Sequence, residues 1–184
     1  MAGFRFEGCA IVSVDGMLAD ASGNQPPELI VEADKQFFDA KLDASDLIVH
    51  GRNSHEGQRN SPKRRRVYAT RKIAAIEAHP SNPNAVRWNP AGATLEEAAA
   101  RLGVRAGVVA VIGGTEVFDL FLDRYDVFWL TVARRVQLPG GVPVFSGIPP
   151  RTPDEILHAH RLRLKETRVL DAKQGIDLIT WAGV

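Results

Sequence analysis

An acidic residue within an apolar segment is the first candidate for chemistry in this sequence. Asp34 has apolar side chains three and four residues away on both sides, at Ile30, Val31, Phe37 and Phe38. On the 3.6-residue period of a helix this spacing puts Asp34 in the middle of an apolar face, where a carboxylate is costly unless it is hydrogen-bonded or protonated. Two interpretations follow: a ligand-facing group with a raised pKa that holds an amidine-like heterocycle, or a structural group that bonds a buried donor or caps a helix that starts later.

A glycine pair after an apolar strand is the second candidate. Five apolar residues, 108–112, precede Gly113 and Gly114, and a short helical pattern starts at Thr115. Glycine has no Cβ, so a flat group or a diphosphate can lie against such a turn and meet the amides of the helix. We expect Gly114 to need a positive φ. A strand, a glycine turn and a helix can equally be only a tight packing motif.

Cationic residues follow two more buried strands. Gly51-Arg52-Asn53-Ser54 comes after one strand and Thr70-Arg71-Lys72 after the next, and both segments offer donors for phosphate. The run 63–66, Lys-Arg-Arg-Arg, lies between them. Such a run is most often a solvated loop, but beside Arg52 and Arg71 it would add positive potential for a phosphorylated adenosine.

Alternating strands and helices must position these residues. The pattern predicts strands at 4–14, 46–51, 66–70, 85–88, 108–112 and 126–136, helices at 28–42 and 94–103, and a closing hairpin at 158–169 and 175–181. This order predicts a mostly parallel α/β sheet with an antiparallel C-terminal hairpin. Ligands of such sheets bind beyond the carboxyl ends of the strands, where the glycine and arginine segments converge.

Composition limits the class of protein. The 184 residues fit one domain, 1–184, and a net charge of +1 argues against a general role in binding nucleic acid or membranes. No apolar stretch approaches the ~20 residues of a membrane-spanning helix, and the first residues lack a secretory signal pattern. The single cysteine, Cys9, suits a reducing compartment, so we expect a cytoplasmic protein. No metal-ligand spacing is present, and the oligomeric state stays open, a homodimer included.

Together these segments resemble the dihydrofolate reductase superfamily, which includes the pyrimidine reductase domain of the riboflavin pathway. The similar segments are Ala10-Ile11-Val12-Ser13-Val14-Asp15-Gly16, Ala33-Asp34 with Phe37-Phe38, Ile48 to Ser54, Tyr68-Ala69-Thr70-Arg71, Val111 to Phe118, and Leu130-Thr131. The resemblance implies a dihydrofolate reductase-like fold with helices on both faces of the sheet and NADPH as cofactor.

The resemblance also implies roles for individual residues. Asp34 and Thr131 would be the catalytic pair, and Leu18, Phe38 and Phe118 would contact the substrate together with Asp34. The cofactor would contact Ala10, Ile11, Ala19, Gly51, Arg52, Asn53, Ser54, Thr70, Arg71, Ile112, Gly113, Gly114, Thr115, Glu116 and Val117.

Two departures bear on the substrate. The segment Asn24-Gln25-Pro26-Pro27 replaces the Leu-Pro-Trp of folate reductases, and Phe118 stands where a tyrosine is usual. The segments around Asp15 and Pro143 are more similar to the pyrimidine reductase branch, whereas Asp34 is more similar to the folate branch. The leading hypothesis is an NADPH-dependent reductase of a pterin or pyrimidine heterocycle. The alternative is a non-catalytic nucleotide-binding module of the same fold.

Overall fold

A computed structural model describes residues 3–54 and 57–184. The strands are β1 (Phe4–Ser13), β2 (Met17–Ala19), β3 (Leu47–His50), β4 (Arg66–Ala69), β5 (Ile76–Ala78), β6 (Ala85–Trp88), β7 (Gly107–Val111), β8 (Tyr125–Ala133), β9 (Val142–Pro143), β10 (Leu162–Asp171) and β11 (Ile176–Gly183). The helices are α1 (Glu32–Asp43), α2 (Leu95–Arg101), α3 (Thr115–Leu120) and α4 (Pro153–Ala159), with 3₁₀ turns at Pro27–Leu29 and Ser61–Lys63. No helix in the described ranges is long and apolar enough to cross a membrane.

One nine-stranded sheet organises the chain, with strand order β10-β11-β8-β1-β7-β3-β4-β6-β5. The strands from β8 to β6 in this order pair in parallel. β11 and β10 form the antiparallel hairpin at one edge, and β5 pairs antiparallel at the other. The predicted architecture, a mostly parallel α/β sheet with an antiparallel C-terminal hairpin, is therefore confirmed. The carboxyl ends of β1, β3, β4 and β7 meet at the same edge, as parallel pairing requires.

The sheet buries apolar side chains on both of its faces. On β7, Val109 and Val111 pack with the residues of α2, α3 and α4, whereas Ala110 between them packs with Leu42 of α1. This alternation is the period of two along a strand. Helices therefore lie on both faces, as predicted, with α1 alone against one face and the other three helices against the opposite face.

The helix predicted at 28–42 begins later than expected. Pro27–Leu29 forms a 3₁₀ turn, Val31 is extended, and α1 starts at Glu32. Ile30, predicted on the buried helix face, is 54% exposed. The proline explains the difference, because its missing N–H suits the start of a short turn, and the helix restarts only after the chain has extended again.

The strand predicted at 158–169 also begins later, because the chain first forms α4. Thr152 and Glu155 make a capping box, in which the Thr152 hydroxyl accepts from the Glu155 amide and the Glu155 carboxylate accepts from the Thr152 amide. Pro153 at the first helical position favours the same start. The predicted capping box at Thr94 and Glu97 is present at α2. The edge strand β5 was not predicted, since three residues give too short a pattern.

Candidate active site

A cleft of about 1250 Å³ lies at the carboxyl edge of the sheet. Of the residues predicted to bind cofactor or substrate, all but Gly113 line it. They are Ala10, Ile11, Leu18, Ala19, Asp34, Phe38, Gly51, Arg52, Asn53, Ser54, Thr70, Arg71, Ile112, Gly114, Thr115, Glu116, Val117, Phe118 and Thr131. The parallel sheet thus brings loops that are distant in sequence to one cavity, as expected for ligand sites of this architecture.

The glycine turn after β7 forms the middle of the cleft. Gly113 has a φ of 106°, and a Cβ built on it would lie 2.8 Å from the Phe118 ring, so this position requires glycine. The Gly113 carbonyl accepts a hydrogen bond of 2.7 Å from the Gly51 amide, which joins the ends of β7 and β3. The prediction of a positive φ at Gly114 is wrong, because its φ is −73°. The conformational demand belongs to the first glycine of the pair.

Gly114 meets a different requirement. Among the described residues outside its own chain neighbours, a Cβ built on Gly114 has only the Ser54 Oγ within 4 Å, at 3.5 Å, so a side chain there would extend into the cleft. The absence of a side chain at Gly114 therefore leaves room for a ligand, while the absence of one at Gly113 lets the chain turn.

Asp34 and Thr131 meet at one end of the cleft. Asp34 lies in the first turn of α1, and its carboxylate accepts a hydrogen bond from the buried Thr131 hydroxyl on β8. Burial raises the pKa of Asp34 above its ordinary value, and the hydrogen bond from Thr131 offsets part of that rise. The structure thus gives a carboxyl group that faces a ligand cavity and favours its protonated form more than an exposed aspartate does.

Further contacts fix α1 against β8 beside this pair. Phe37 packs edge-on against the Trp129 ring, with 5.6 Å between ring centroids, and the Lys41 Nζ lies 3.7 Å from the Trp129 centroid. Asp34, Phe37 and Lys41 therefore lie on one face of α1 at helical spacing. They contact Thr131 and Trp129, two residues on the same face of β8. Trp129 and Phe37 also line the cleft.

A buried carboxylate, Glu7 on β1, joins these contacts, and sequence reasoning missed it. Its oxygens accept from the Trp129 indole at 2.8 Å, from Arg5 at 3.0 Å and from Lys41 at 3.3 Å. Burial acts to raise the pKa of Glu7, but these hydrogen bonds and the charge of Lys41 together lower it. An acidic residue within the apolar strand segment Phe6-Glu7-Gly8-Cys9 was the available signal.

Cations line the opposite end of the cleft. Arg52, Arg71 and Lys72 are exposed and line it, as does Glu116 in the first turn of α3. The Arg71 Nη2 donates to the Glu116 Oε1 at 3.2 Å, and both side chains are more than three-quarters exposed. This end can therefore hold an anionic group, although one of its arginines is already paired.

The basic run at 63–66 is only partly a solvated loop. Arg64 is buried and pairs with Asp39 and Asp43 of α1 at 2.5 and 2.7 Å. Arg66 is buried as well; its Nη1 hydrogen-bonds the Nε2 of His50 at 3.2 Å. None of residues 63–66 is among the described residues that line the cleft, and these two arginines instead hold the 57–65 segment against α1 and β3.

The chain that follows β8, residues 134–145, forms a strap that holds the segment containing Leu18 and Ala19. The Asp15 carboxylate accepts from the Ser13 hydroxyl at 2.5 Å and from the Leu138 amide at 3.1 Å. β2 pairs with β9, in the register Met17 opposite Pro143. The Thr115 hydroxyl donates to the Pro143 carbonyl at 2.5 Å. The loop at one side of the cleft is therefore connected, through the strap, to the glycine turn at its centre.

Solved structures with the same architecture identify the fold. A protein from Shewanella sp. PV-4 named for riboflavin biosynthesis superposes with a TM-score of 0.68 at 17% identity, over 97% of this chain and 98% of that one. Dihydrofolate reductase from Enterococcus faecalis, complexed with NADP(H), superposes with a TM-score of 0.62 at 17% identity, over 97% of this chain and 95% of that one.

The chain spans only about half the length of a third similar structure. The diaminohydroxyphosphoribosylaminopyrimidine deaminase/5-amino-6-(5-phosphoribosylamino)uracil reductase from Thermotoga maritima superposes with a TM-score of 0.64 at 15% identity, over 98% of this chain and 56% of that one. No protein-family model and no curated protein sequence matches the chain. The chain has a dihydrofolate reductase-like fold, which confirms the predicted resemblance at the level of fold.

Proposed function

We propose that this protein is an NADPH-dependent reductase of a flat nitrogen heterocycle, either a dihydropterin or a ribosylaminopyrimidine. The observation that supports this most is the arrangement of one continuous cleft. The hydrogen-bonded pair of Asp34 and Thr131 lies at one end, exposed cations lie at the other, and the glycine turn lies between them. This order would hold a heterocycle at the carboxyl group, the diphosphate at the glycine turn and the adenosine phosphate at the cations.

The residues present fit the cofactor. A volume of about 1250 Å³ exceeds the roughly 300–1,000 Å³ of a site for a single drug-sized ligand, so a dinucleotide and a substrate can share it. Gly114 leaves the centre of the cleft open, whereas a side chain there would extend into it. Arg52 and Arg71 would hold the adenosine phosphate, Gly113 to Thr115 the diphosphate, and Ala10, Ile11 and Ala19 the nicotinamide. When bound, the cofactor supplies the hydride.

The chain itself supplies orientation and charge. Asp34 would hold the nitrogen-containing edge of the heterocycle, and since burial raises its pKa it takes up a proton more readily than an exposed aspartate. Thr131 fixes the direction of that carboxyl group through its hydroxyl. Phe38 and Leu18 are half-buried and would contact the ring, whereas Phe118 is fully buried and acts mainly as support beneath Gly113. The connected strap would keep Leu18 and Ala19 against the ligands and exclude water.

Parallel assays test this function. NADPH binding is measured by calorimetry, and NADPH absorbance is followed with dihydrofolate, dihydrobiopterin or the aminouracil substrate of the pyrimidine reductases. We expect NADPH to bind and one of these substrates to accelerate its oxidation, with slower oxidation by the Asp34→Asn variant. Binding of NADPH without oxidation by any of the three would support the nucleotide-binding module instead. A lack of NADPH binding would contradict both functions.

A further inference from the structure

The ion pair between Arg71 and Glu116 lies within the cleft rather than outside it. Arg71 follows β4 and Glu116 stands in the first turn of α3, so the pair connects two different walls of the cleft. The Arg71 Nη2 and the Glu116 Oε1 are 3.2 Å apart, and the side chains are 78% and 76% exposed. An exposed pair of this kind is weak and can exchange its partner.

The charges near this pair make Glu116 unusual. Among the described residues that line the cleft, the acidic side chains are Asp34 and Glu116, and Asp34 lies in the substrate end. Arg52, Arg71 and Lys72 give the cofactor end its positive charge, and Glu116 neutralises part of it. A carboxylate at a phosphate-binding end repels the ligand that the cations attract.

We propose that Glu116 is a specificity-determining residue that reduces the preference of this protein for NADPH over NADH. This inference rests on the proposed function, in which Arg71 holds the adenosine phosphate. When a terminal phosphate binds Arg71, one of two costs arises. Either the ion pair between Arg71 and Glu116 breaks, or the Glu116 carboxylate stays close to the negatively charged phosphate. Both costs apply to the phosphorylated cofactor and not to NADH. A carboxylate can also accept a hydrogen bond from a ribose hydroxyl, which NADH retains and NADPH lacks at that position.

Paired binding measurements separate this role from a general effect of charge. The dissociation constants of NADPH and NADH are measured by calorimetry for the parent protein, Glu116→Gln and Arg71→Gln. Glu96→Gln is the matched control, because Glu96 is also an exposed glutamate paired with an arginine, Arg124, but lies outside the cleft lining. Adenosine 2′,5′-bisphosphate and adenosine 5′-monophosphate repeat the comparison without the nicotinamide.

Glu116→Gln is expected to tighten NADPH binding roughly three- to tenfold, the effect of one charge a few ångströms away in a solvated site. NADH binding should change less than twofold or weaken, and the bisphosphate should follow NADPH. The gain should decrease as salt is raised. Arg71→Gln should weaken NADPH selectively, and Glu96→Gln should change neither cofactor.

Distinct outcomes would overturn the inference. An unchanged ratio of the two dissociation constants in Glu116→Gln would overturn it while leaving the proposed function standing. An equal tightening of both cofactors would do the same, because Glu116 would then act on the shared diphosphate. Absence of binding of either cofactor to the parent protein would overturn the proposed function and this inference together.

Discussion

Replacement of Asp34 by asparagine separates a catalytic carboxyl group from a structural one. The change keeps the size of the side chain, and its amide oxygen can still accept from the Thr131 hydroxyl. It removes the negative charge and the proton that the carboxyl group can hold. Because Asp34 lines the cleft and has a raised pKa, we expect turnover to fall while the fold and NADPH binding persist.

The expected magnitudes are different for rate and stability. Loss of general acid–base assistance lowers turnover ~10²-fold or more, which is about 2.7 kcal/mol of barrier. Exchange of a charge-assisted hydrogen bond for a neutral one costs about 1 kcal/mol of unfolding free energy. For a chain of this length that is a change in Tm of about 2–4 °C. Relief of a buried charge acts in the opposite direction, so the net change in Tm should be smaller.

The pH dependence has a defined sign. The folded pKa of Asp34 lies above its unfolded value, so in the pH window between the two the folded protein binds more protons. The free energy of unfolding of the parent therefore falls as pH rises through this window, and Asp34→Asn does not share that loss. The Tm of the variant minus that of the parent should be more positive at pH 7 than at acidic pH.

Turnover, Tm and NADPH affinity are measured on the same purified samples across pH. Asp154→Asn is the matched control, because burial also raises the pKa of Asp154, which lines a separate surface cavity of about 690 Å³. Thr131→Val removes the hydroxyl that lowers the pKa of Asp34, so its rate should decline at a higher pH than that of the parent. Unchanged kcat in Asp34→Asn together with an altered Tm would refute the catalytic role.

Three further predictions concern the two glycines of the turn and the buried carboxylate of Glu7. Gly113→Ala should lower the free energy of unfolding by about 1–3 kcal/mol, because it strains a φ of 106° and meets the Phe118 ring. Gly114→Val should keep its Tm and lose NADPH binding in calorimetry; normal binding would make this position purely structural. Glu7→Gln should cost about 1.5–3 kcal/mol at pH 7 in chemical unfolding. Because the pKa of Glu7 is lowered in the fold, its charged form stabilises the protein at pH values above the ordinary glutamate pKa. This stabilisation is lost as pH falls through the pKa of the folded protein. The difference in unfolding free energy between Glu7→Gln and the parent should therefore shrink in acid. A difference independent of pH would contradict the charge-based account.

The sequence predicted most of the parts whose determinants are local. The apolar run before Gly113, the capping box at Thr94 and the alternation of strands and helices each depend on residues within a few positions of one another. The convergence of four loops at one edge follows from parallel pairing, which the alternation predicts. Helix α4 and strand β5 were missed because a short capping signal and a three-residue strand compete with stronger neighbouring patterns.

Contacts between residues that are far apart in the sequence could not be predicted in this way. Arg64 and Arg66 belong to a run of four cations, and such runs are most often solvated. Nothing near them in the sequence indicates that Arg64 pairs with Asp39 and Asp43. The same is true of the contact between Arg66 and His50. The contacts of Glu7 with Trp129 and Lys41 likewise join residues 34 or more positions apart. Their burial is decided by the packing of α1 on the sheet, which periodicity does not specify.

Asp34 lines the cleft, but not for the reason that the sequence argument gave. The sequence argument placed it between Ile30 and Val31 on one side and the phenylalanines on the other, all on one helix face. In the structure Ile30 is exposed, and Val31 precedes the helix and packs with Leu29 and Ala133. The carboxyl group instead faces the cleft from the first turn of α1, beside Thr131 of β8. The helix start therefore decides whether Asp34 faces the cleft. Substitutions at Pro27 that let α1 begin earlier in the chain should therefore lower turnover while leaving the core packing intact. Turnover and Tm measured on the same variant test this: turnover should fall while Tm stays close to that of the parent.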